Sequence, residues 1–256
     1  MNKIEAKLLF DFKKSNKKRR LQIANKFGFA TAEVYQAYLE GKPYPEGNVS
    51  TPTKKVIIHN VIISDASGSM VGNKYSNTMA GIKKELLVFN SDTETTVLHS
   101  LFEFVDTRCG IVNPYLDVEN PVPSFYGAIG GNTPLWWAIV EVLNKFKSVP
   151  KSEKVLVKIF TDGNNNAESQ YVNICKALIK ELNLQNFTIT FVATERDMLG
   201  IIQALDLNES NTLTVENSGA GFEEAYSKSL VATMSYRASA VKNEDVKFGF
   251  YKKLVK

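Results

Sequence analysis

The strongest constraint on the fold is a nearly continuous apolar, β-branched run at 56–64, with the sequence VIIHNVIIS. Such a run is typical of a strand in a parallel sheet, because helices cover both of its faces. Further strands are predicted at 95–105, 155–161, 187–193 and 212–215, with a shorter strand-like piece at 111–116, and helices at 74–89, 134–146, 171–182, 198–205 and 222–238. This alternation predicts an α/β protein with a doubly wound, mostly parallel sheet.

The chain before the first strand differs in charge and pattern. Residues 1–50 hold 10 Lys or Arg and 5 Asp or Glu, whereas the remainder holds 21 and 22. The stretch KPYPEGNVSTPT has three prolines and no apolar period, which indicates a linker. The sequence therefore predicts a basic helical N-terminal segment (1–41), a linker (42–53), an α/β domain (54–240) and a C-terminal tail (241–256) that would add an edge strand or dock a partner.

The composition excludes several classes of protein. Two cysteines, Cys109 and Cys175, are too few for a disulfide framework and do not form a C-x-x-C pair, so we expect a reducing compartment and no thiolate zinc site. No apolar run approaches the roughly 20 residues that a membrane-spanning helix needs, and the charged start does not resemble a signal peptide. These features predict a cytoplasmic protein, or a virion component if the chain is phage-encoded.

Five polar residues lie in three predicted loops. Asp65, Ser67 and Ser69 form a D-x-S-x-S motif after the first strand, Thr133 lies in the glycine-rich turn GGNTPL, and Asp162 follows the strand at 155–161. Hydroxyl and carboxylate oxygens suit Mg²⁺ or Mn²⁺, and α/β sheets bind ligands at the carboxyl ends of their strands. Taken alone, the first motif is equally consistent with serine and aspartate side chains that cap the next helix.

The three loops together resemble the metal-ion-dependent adhesion site of the von Willebrand factor type A (VWA) family. Every ligand position of that family's pattern is matched in order within residues 54–240. Asn132 is a departure, because it lengthens the turn before the threonine by one residue. The resemblance implies a Rossmann-like VWA fold and a bound Mg²⁺ or Mn²⁺, with Ser67 and Ser69 as direct ligands, Thr133 binding directly or through water, and the two aspartates binding through water.

The expected ligand set also bears on function. Neutral hydroxyls would leave the ion with much of its charge and an open position, so the Asp or Glu of a protein partner is the natural further ligand. The resemblance therefore implies a protein-binding module. Asn164, Asn165 and Trp136 are candidates for the rim of the site, with a solvated loop as the favoured interpretation of the asparagines and a core position as that of the tryptophan.

Sequence motifs of common enzymes are absent. Neither a G-x-x-x-x-G-K-[ST] phosphate loop nor a G-x-S-x-G nucleophile elbow occurs. The two histidines, His59 and His99, fall within predicted strands and are interpreted as structural residues. We therefore predict that the chain is not an enzyme.

Two other functions stay open at this point. VWA proteins of microbial families work beside AAA+ ATPases, as in MoxR-like and magnesium-chelatase-like systems, and such a role would require a separate ATPase. A basic cluster near the N-terminus would alternatively bind nucleic-acid phosphates; it contains Lys13, Lys14, Lys17, Lys18, Arg19 and Arg20. A solvated basic face is the favoured interpretation of the cluster, and a salt-titrated shift assay with and without residues 1–50 distinguishes the two.

Overall fold

The computed structural model describes residues 55–89, 94–106, 108–112, 131–163, 165–244 and 247–252. The chain divides after Lys55 into two units. Lys55 belongs to the first unit, and every other described residue belongs to the second. The predicted N-terminal segment, its basic cluster and the linker lie outside the described residues.

Strands and helices alternate along this domain, and each begins and ends within about one helical turn of its predicted position. The strands are β1 (Val56–Asp65), β2 (Thr95–Val105), β3 (Arg108–Val112), β4 (Lys154–Phe160), β5 (Phe187–Thr194) and β6 (Thr212–Val215). The helices are α1 (Asn73–Phe89), α2 (Leu135–Phe146), α3 (Val172–Asn183), α4 (Glu195–Leu205) and α5 (Gly219–Val241).

The strands form one sheet in the order β3-β2-β1-β4-β5-β6. Strand β3 is antiparallel to β2, and all other neighbours are parallel, so the predicted doubly wound, mostly parallel α/β sheet is confirmed. The chain proceeds outward from β1 on one side and from β4 on the other. This reversal opens a crevice between the carboxyl ends of β1 and β4, which is where sheets of this type bind ligands.

Two apolar layers cover the sheet. Val61 and Ile63 of β1 pack in the first layer, with α2, α3 and α4. Ile58 and Ile62 pack in the second layer, with α1 and α5. Alternate residues of one strand thus lie in opposite layers, which explains why the run VIIHNVIIS is apolar at almost every position.

A charged pair is buried in the second layer. Lys158 of β4 contacts Glu85 of α1, and the two side chains are 0% and 1% exposed. Asn60 Nδ2 donates to Glu85 Oε1 over 2.7 Å and lies 2.9 Å from His99 Nδ1. Burial lowers the pKa of Lys158, and the nearby Glu85 carboxylate opposes this shift. The four side chains therefore tie α1 to three strands of the sheet.

In the C-terminal tail beyond the last helix, the described residues 242–244 and 247–252 form turns and bends and no strand, so the predicted edge strand is wrong for these residues. Phe250 and Tyr251 are buried in the second layer. Asn211 holds the turn in place, because its Oδ1 accepts from Phe250 N over 3.1 Å and its Nδ2 donates to Lys247 O over 2.8 Å. The alternation of apolar residues in the tail does not follow this packing, because Phe250 and Tyr251 are adjacent and Phe248 is exposed.

Cys175 is buried in the first layer, and burial raises the pKa of its thiol. The side chain of Cys109 is outside the description. Among the residues described, no helix has the length and apolar character needed to cross a membrane.

The buried histidine makes stability depend on pH. Burial lowers the pKa of His99 to about 4, below its ordinary value of 6.5; Glu85 opposes the shift and Lys158 adds to it. At this position the unfolded chain therefore takes up a proton that the folded protein excludes, so the stability that neutral His99 contributes is complete above pH 6.5 and decreases as the pH falls toward 4. We expect His99 by itself to lower the free energy of unfolding by about 2 kcal/mol between pH 7 and pH 5. Asp65, whose pKa is raised to about 6 by burial, adds stability as the pH falls over the same range, so the contribution of His99 is obtained by comparing variants with the wild type.

Urea unfolding at the two pH values measures this effect. His99→Gln should lack the fall of about 2 kcal/mol that His99 contributes to the wild type. His59→Gln should follow the wild type, because His59 lies against Glu153 at 2.6 Å and outside the buried pair. The same pH dependence in His99→Gln as in the wild type would contradict the assignment.

Candidate metal centre

The loops after β1 and β4 meet at the crevice. Ser69 Oγ donates to Asp162 Oδ1 over 2.5 Å and lies 3.2 Å from Ser67 Oγ. Ser69, Asp162 and Thr133 line one cleft of about 420 Å³. Residues from three distant parts of the sequence are thus brought together at the edge of the sheet where the sequence placed them.

Asp65 lies beneath this cleft and is fully buried. Its Oδ1 accepts from Ser67 N over 2.8 Å, and its Oδ2 accepts from Thr161 Oγ1 over 2.6 Å. Burial raises the pKa of Asp65 to about 6; the hydrogen bonds from Thr161 and Ser67 oppose this shift, and the charge of Asp162 adds to it. A carboxyl group with a raised pKa is stabilised in its charged form by a nearby cation.

Asp106, after β2, holds the glycine-rich turn. Its Oδ1 accepts from Asn132 N over 2.8 Å, and its own N donates to Asn132 O over 3.0 Å. Thr133 N donates to Asn166 Oδ1 over 2.6 Å, and Asn166 N donates to Thr133 O over 3.2 Å. Asn132, the additional residue of the turn, therefore binds Asp106 through its backbone, and Thr133 stays buried in the cleft.

The candidate rim residues have different positions. Asn165 is half-buried, and its Oδ1 accepts from Trp136 N over 3.2 Å at the start of α2. The side chain of Trp136 packs in the first apolar layer and is 7% exposed, so it lies beneath the rim and not on it. Asn164 lies outside the described residues. Of the three candidates, Asn165 thus has a visible role in fixing the helix that follows Thr133.

Sequence reasoning missed two cations at this site. Lys74 Nζ, in the first turn of α1, contacts Asp162 Oδ2 and donates to Asn217 Oδ1 over 3.0 Å. Arg196, in the first turn of α4, lines the cleft and pairs with Asp197 at 3.2 Å. Arg196 follows the end of β5 by two residues and Lys74 follows the end of β1 by nine, and each lies in the first turn of a helix that starts on the carboxyl side of the sheet. A lysine or arginine in the first turn of a helix that follows a strand was thus the sequence feature that could have identified these two cations.

The donor set fits a hard divalent cation. It combines the hydroxyls of Ser67, Ser69 and Thr133 with the carboxylates of Asp65 and Asp162, and oxygen donors of these two kinds suit Mg²⁺ and Mn²⁺. The described ranges contain no group of three or more His, Cys, Asp or Glu side chains that could hold a metal. A cation at this cleft would therefore depend on the hydroxyls.

Comparison with known proteins identifies the fold. No protein-family profile matches the sequence, and a search of curated proteins finds no match. Solved structures do match. They include the ArnB paralog VWA2 of Sulfolobus acidocaldarius, at TM-score 0.50 and 17% identity, covering 67% of this chain and 44% of that protein. The pilus adhesin SpaC of Lactobacillus rhamnosus GG matches at TM-score 0.54 and 15% identity, covering 77% of this chain and 32% of that protein.

A third match is proximal thread matrix protein 1 of the mussel byssus, at TM-score 0.53 and 15% identity, covering 69% of this chain and 45% of that protein. The chain therefore spans less than half the length of each of these proteins. At such low identity the likeness shows the fold alone, and that fold is the VWA fold expected from the sequence.

Gly131 is the position of the turn that is most sensitive to an added side chain. Its φ is +103°, and a Cβ would lie 2.6 Å from both carboxylate oxygens of Asp106. Gly131→Ala should therefore strain the backbone and displace the aspartate that holds Asn132. We expect the free energy of unfolding to fall by about 3 kcal/mol, as measured by urea unfolding.

Gly249→Ala is the matched control. Gly249 also has a positive φ, of +80°, but a Cβ there would meet only Lys252 Cβ at 3.8 Å. The control should lose about 1 kcal/mol, from the backbone strain alone. Equal losses in the two variants would contradict the role given to Asp106.

Proposed function

We propose that this chain, whose described domain has a VWA fold, is a non-enzymatic module that binds Mg²⁺ or Mn²⁺ and captures an acidic side chain of a protein partner. The residues that would hold the ion are Asp65, Ser67, Ser69, Thr133 and Asp162. The observation that carries the proposal is the 2.5 Å contact between Ser69 and Asp162, because it joins the loops after β1 and β4 at the crevice.

The charges of the cleft support a cation at this place. Asp65 and Asp162 are both buried, and the charge of Asp162 raises the cost of ionising Asp65. Burial without a compensating charge raises the pKa of Asp65 to about 6. A divalent cation between the two loops would stabilise both carboxylates in their charged form.

The hydroxyl donors favour an acidic partner. Ser67, Ser69 and Thr133 are neutral and would not cancel the charge of the ion. When bound, the ion supplies positive charge and an open coordination position to a carboxylate. Arg196 adds an exposed guanidinium on the wall of the cleft. An Asp or Glu side chain is the partner group that suits this arrangement.

The positions of the two histidines, the commonest general bases near neutral pH, favour a binding role over a catalytic one. Both histidines of the chain, His59 and His99, lie in the amino-terminal halves of β1 and β2. Along the strands they are about 15–20 Å from the ends that carry the cleft. Neither can reach a group bound there, so we propose that the chain has no catalytic activity. Neither a role beside an AAA+ ATPase nor nucleic-acid binding is favoured by an observation on the described residues.

Metal binding should stabilise the protein through the two serine hydroxyls. At 100 times its Kd, Mn²⁺ added to EDTA-treated protein is expected to raise the free energy of unfolding by about 2.7 kcal/mol. Ser67→Ala combined with Ser69→Ala should fold and show no such rise. Chemical unfolding with and without Mn²⁺ measures the difference.

Affinity capture tests the partner. Immobilised wild-type protein should retain an acidic protein in Mg²⁺ and release it in EDTA, and the double serine variant should not retain it. Ser227→Ala is the control, because Ser227 is an exposed serine of α5 whose Oγ donates to Glu223 O. Retention of the same protein by the double variant, independent of metal, would refute the proposal.

A further inference from the structure

We propose that Lys74 is an internal competitor of the metal ion: its ammonium neutralises Asp162 in the metal-free protein and leaves that carboxylate when a divalent cation binds. The inference rests on the proposed metal site and concerns how occupation of that site is controlled.

The Lys74 ammonium is held at two points. It contacts Asp162 Oδ2 and donates to Asn217 Oδ1 over 3.0 Å. The Lys74 side chain is 18% exposed and that of Asp162 is 0% exposed. Water and salt screen a pair at this depth less than they screen a surface pair. Lys74 is therefore a bound counter-charge of the site.

Internal donors use both oxygens of the Asp162 carboxylate. Ser69 Oγ donates to Oδ1 over 2.5 Å, and Lys74 contacts Oδ2. A divalent cation that shares this carboxylate would meet the ammonium at close range. Because like charges at such distances repel strongly in a partly buried site, the two cations exclude each other from Asp162.

Asn217 offers a place for the displaced ammonium. It is exposed, and it lines both the metal cleft and a neighbouring cleft of about 530 Å³ that also contains Glu195 and Glu216. A lysine that releases Asp162 while it keeps Asn217 stays at the mouth of the site. Metal binding would thus place a free ammonium where the carboxylate of a partner arrives.

Arg196 differs from Lys74 although it lines the same cleft. Its guanidinium pairs with Asp197, at 3.2 Å from Oδ1, and its side chain is 78% exposed. It therefore adds positive charge near the site without occupying Asp162. This contrast separates competition for one carboxylate from general repulsion by nearby cations.

The affinity of Mn²⁺ for EDTA-treated protein, measured by isothermal titration calorimetry, tests the inference. Lys74→Met should bind Mn²⁺ about fivefold more tightly than the wild type, which is the factor expected for a pair worth about 1 kcal/mol. Arg196→Met, as the near-site control, should change the affinity by less than about twofold. Lys84→Met controls for net charge, because Lys84 is an exposed lysine of the same helix.

Asn217→Ala provides a second variant that leaves Lys74 and the ligand set intact. It removes the acceptor that the ammonium keeps after it leaves Asp162, so Mn²⁺ should bind about twofold more weakly. Without metal, Lys74→Met should also unfold at a lower urea concentration than the wild type, and saturating Mn²⁺ should reduce this difference.

Equal Mn²⁺ affinity in Lys74→Met and the wild type would overturn the inference and leave the metal site standing. An equal gain in Arg196→Met and Lys74→Met would also overturn it, since general repulsion would then explain both. Failure of the wild type to bind Mn²⁺ would instead overturn the proposed function, so the two failures are distinguishable.

Discussion

The buried carboxylate of Asp65 is the constraint on which the rest of the site depends. It lies at the end of β1, and it accepts hydrogen bonds from Ser67 in its own loop and from Thr161 at the end of β4. These two bonds fix the first loop against the fourth strand, and Ser69 then reaches Asp162. The same burial that orders the loops raises the pKa of Asp65 to about 6. A desolvated carboxylate is stabilised by nearby positive charge. The burial of Asp65 beneath the cleft therefore also favours a cation there.

Two buried acidic side chains, Glu85 and Asp162, are each paired with a lysine, but in different surroundings. Glu85 is paired with Lys158 inside the second layer, where both side chains are inaccessible and the pair ties α1 to the sheet. Breaking such a pair leaves an uncompensated buried charge, so it acts as a permanent part of the fold. Asp162 is paired with Lys74 at the wall of an open cleft, and the lysine is partly exposed. That is the pair that we propose exchanges its ammonium for a metal ion.

The sequence predicted the elements, the sheet class and the convergence of Asp65, Ser69, Thr133 and Asp162, because apolar runs define buried strands and loops after parallel strands share one edge. It did not predict the antiparallel pairing of β3 or the packing of Phe250 and Tyr251. It also missed Lys74 and the Glu85–Lys158 pair. Periodicity shows which face of a helix is buried, but it does not show which strand residue the helix meets. Contacts between elements that are distant in the sequence therefore could not be predicted from periodicity.

We propose that Ser67, Ser69 and Asp162 hold a divalent cation at the β1–β4 crevice. A crystal structure of the protein grown with Mn²⁺, with anomalous data at the manganese edge, tests this claim most directly. The account predicts a manganese peak bonded to the Ser67 and Ser69 hydroxyl oxygens, with the Lys74 ammonium moved away from Asp162. Manganese bound elsewhere, or a cleft without manganese in which Lys74 still contacts Asp162, would contradict it.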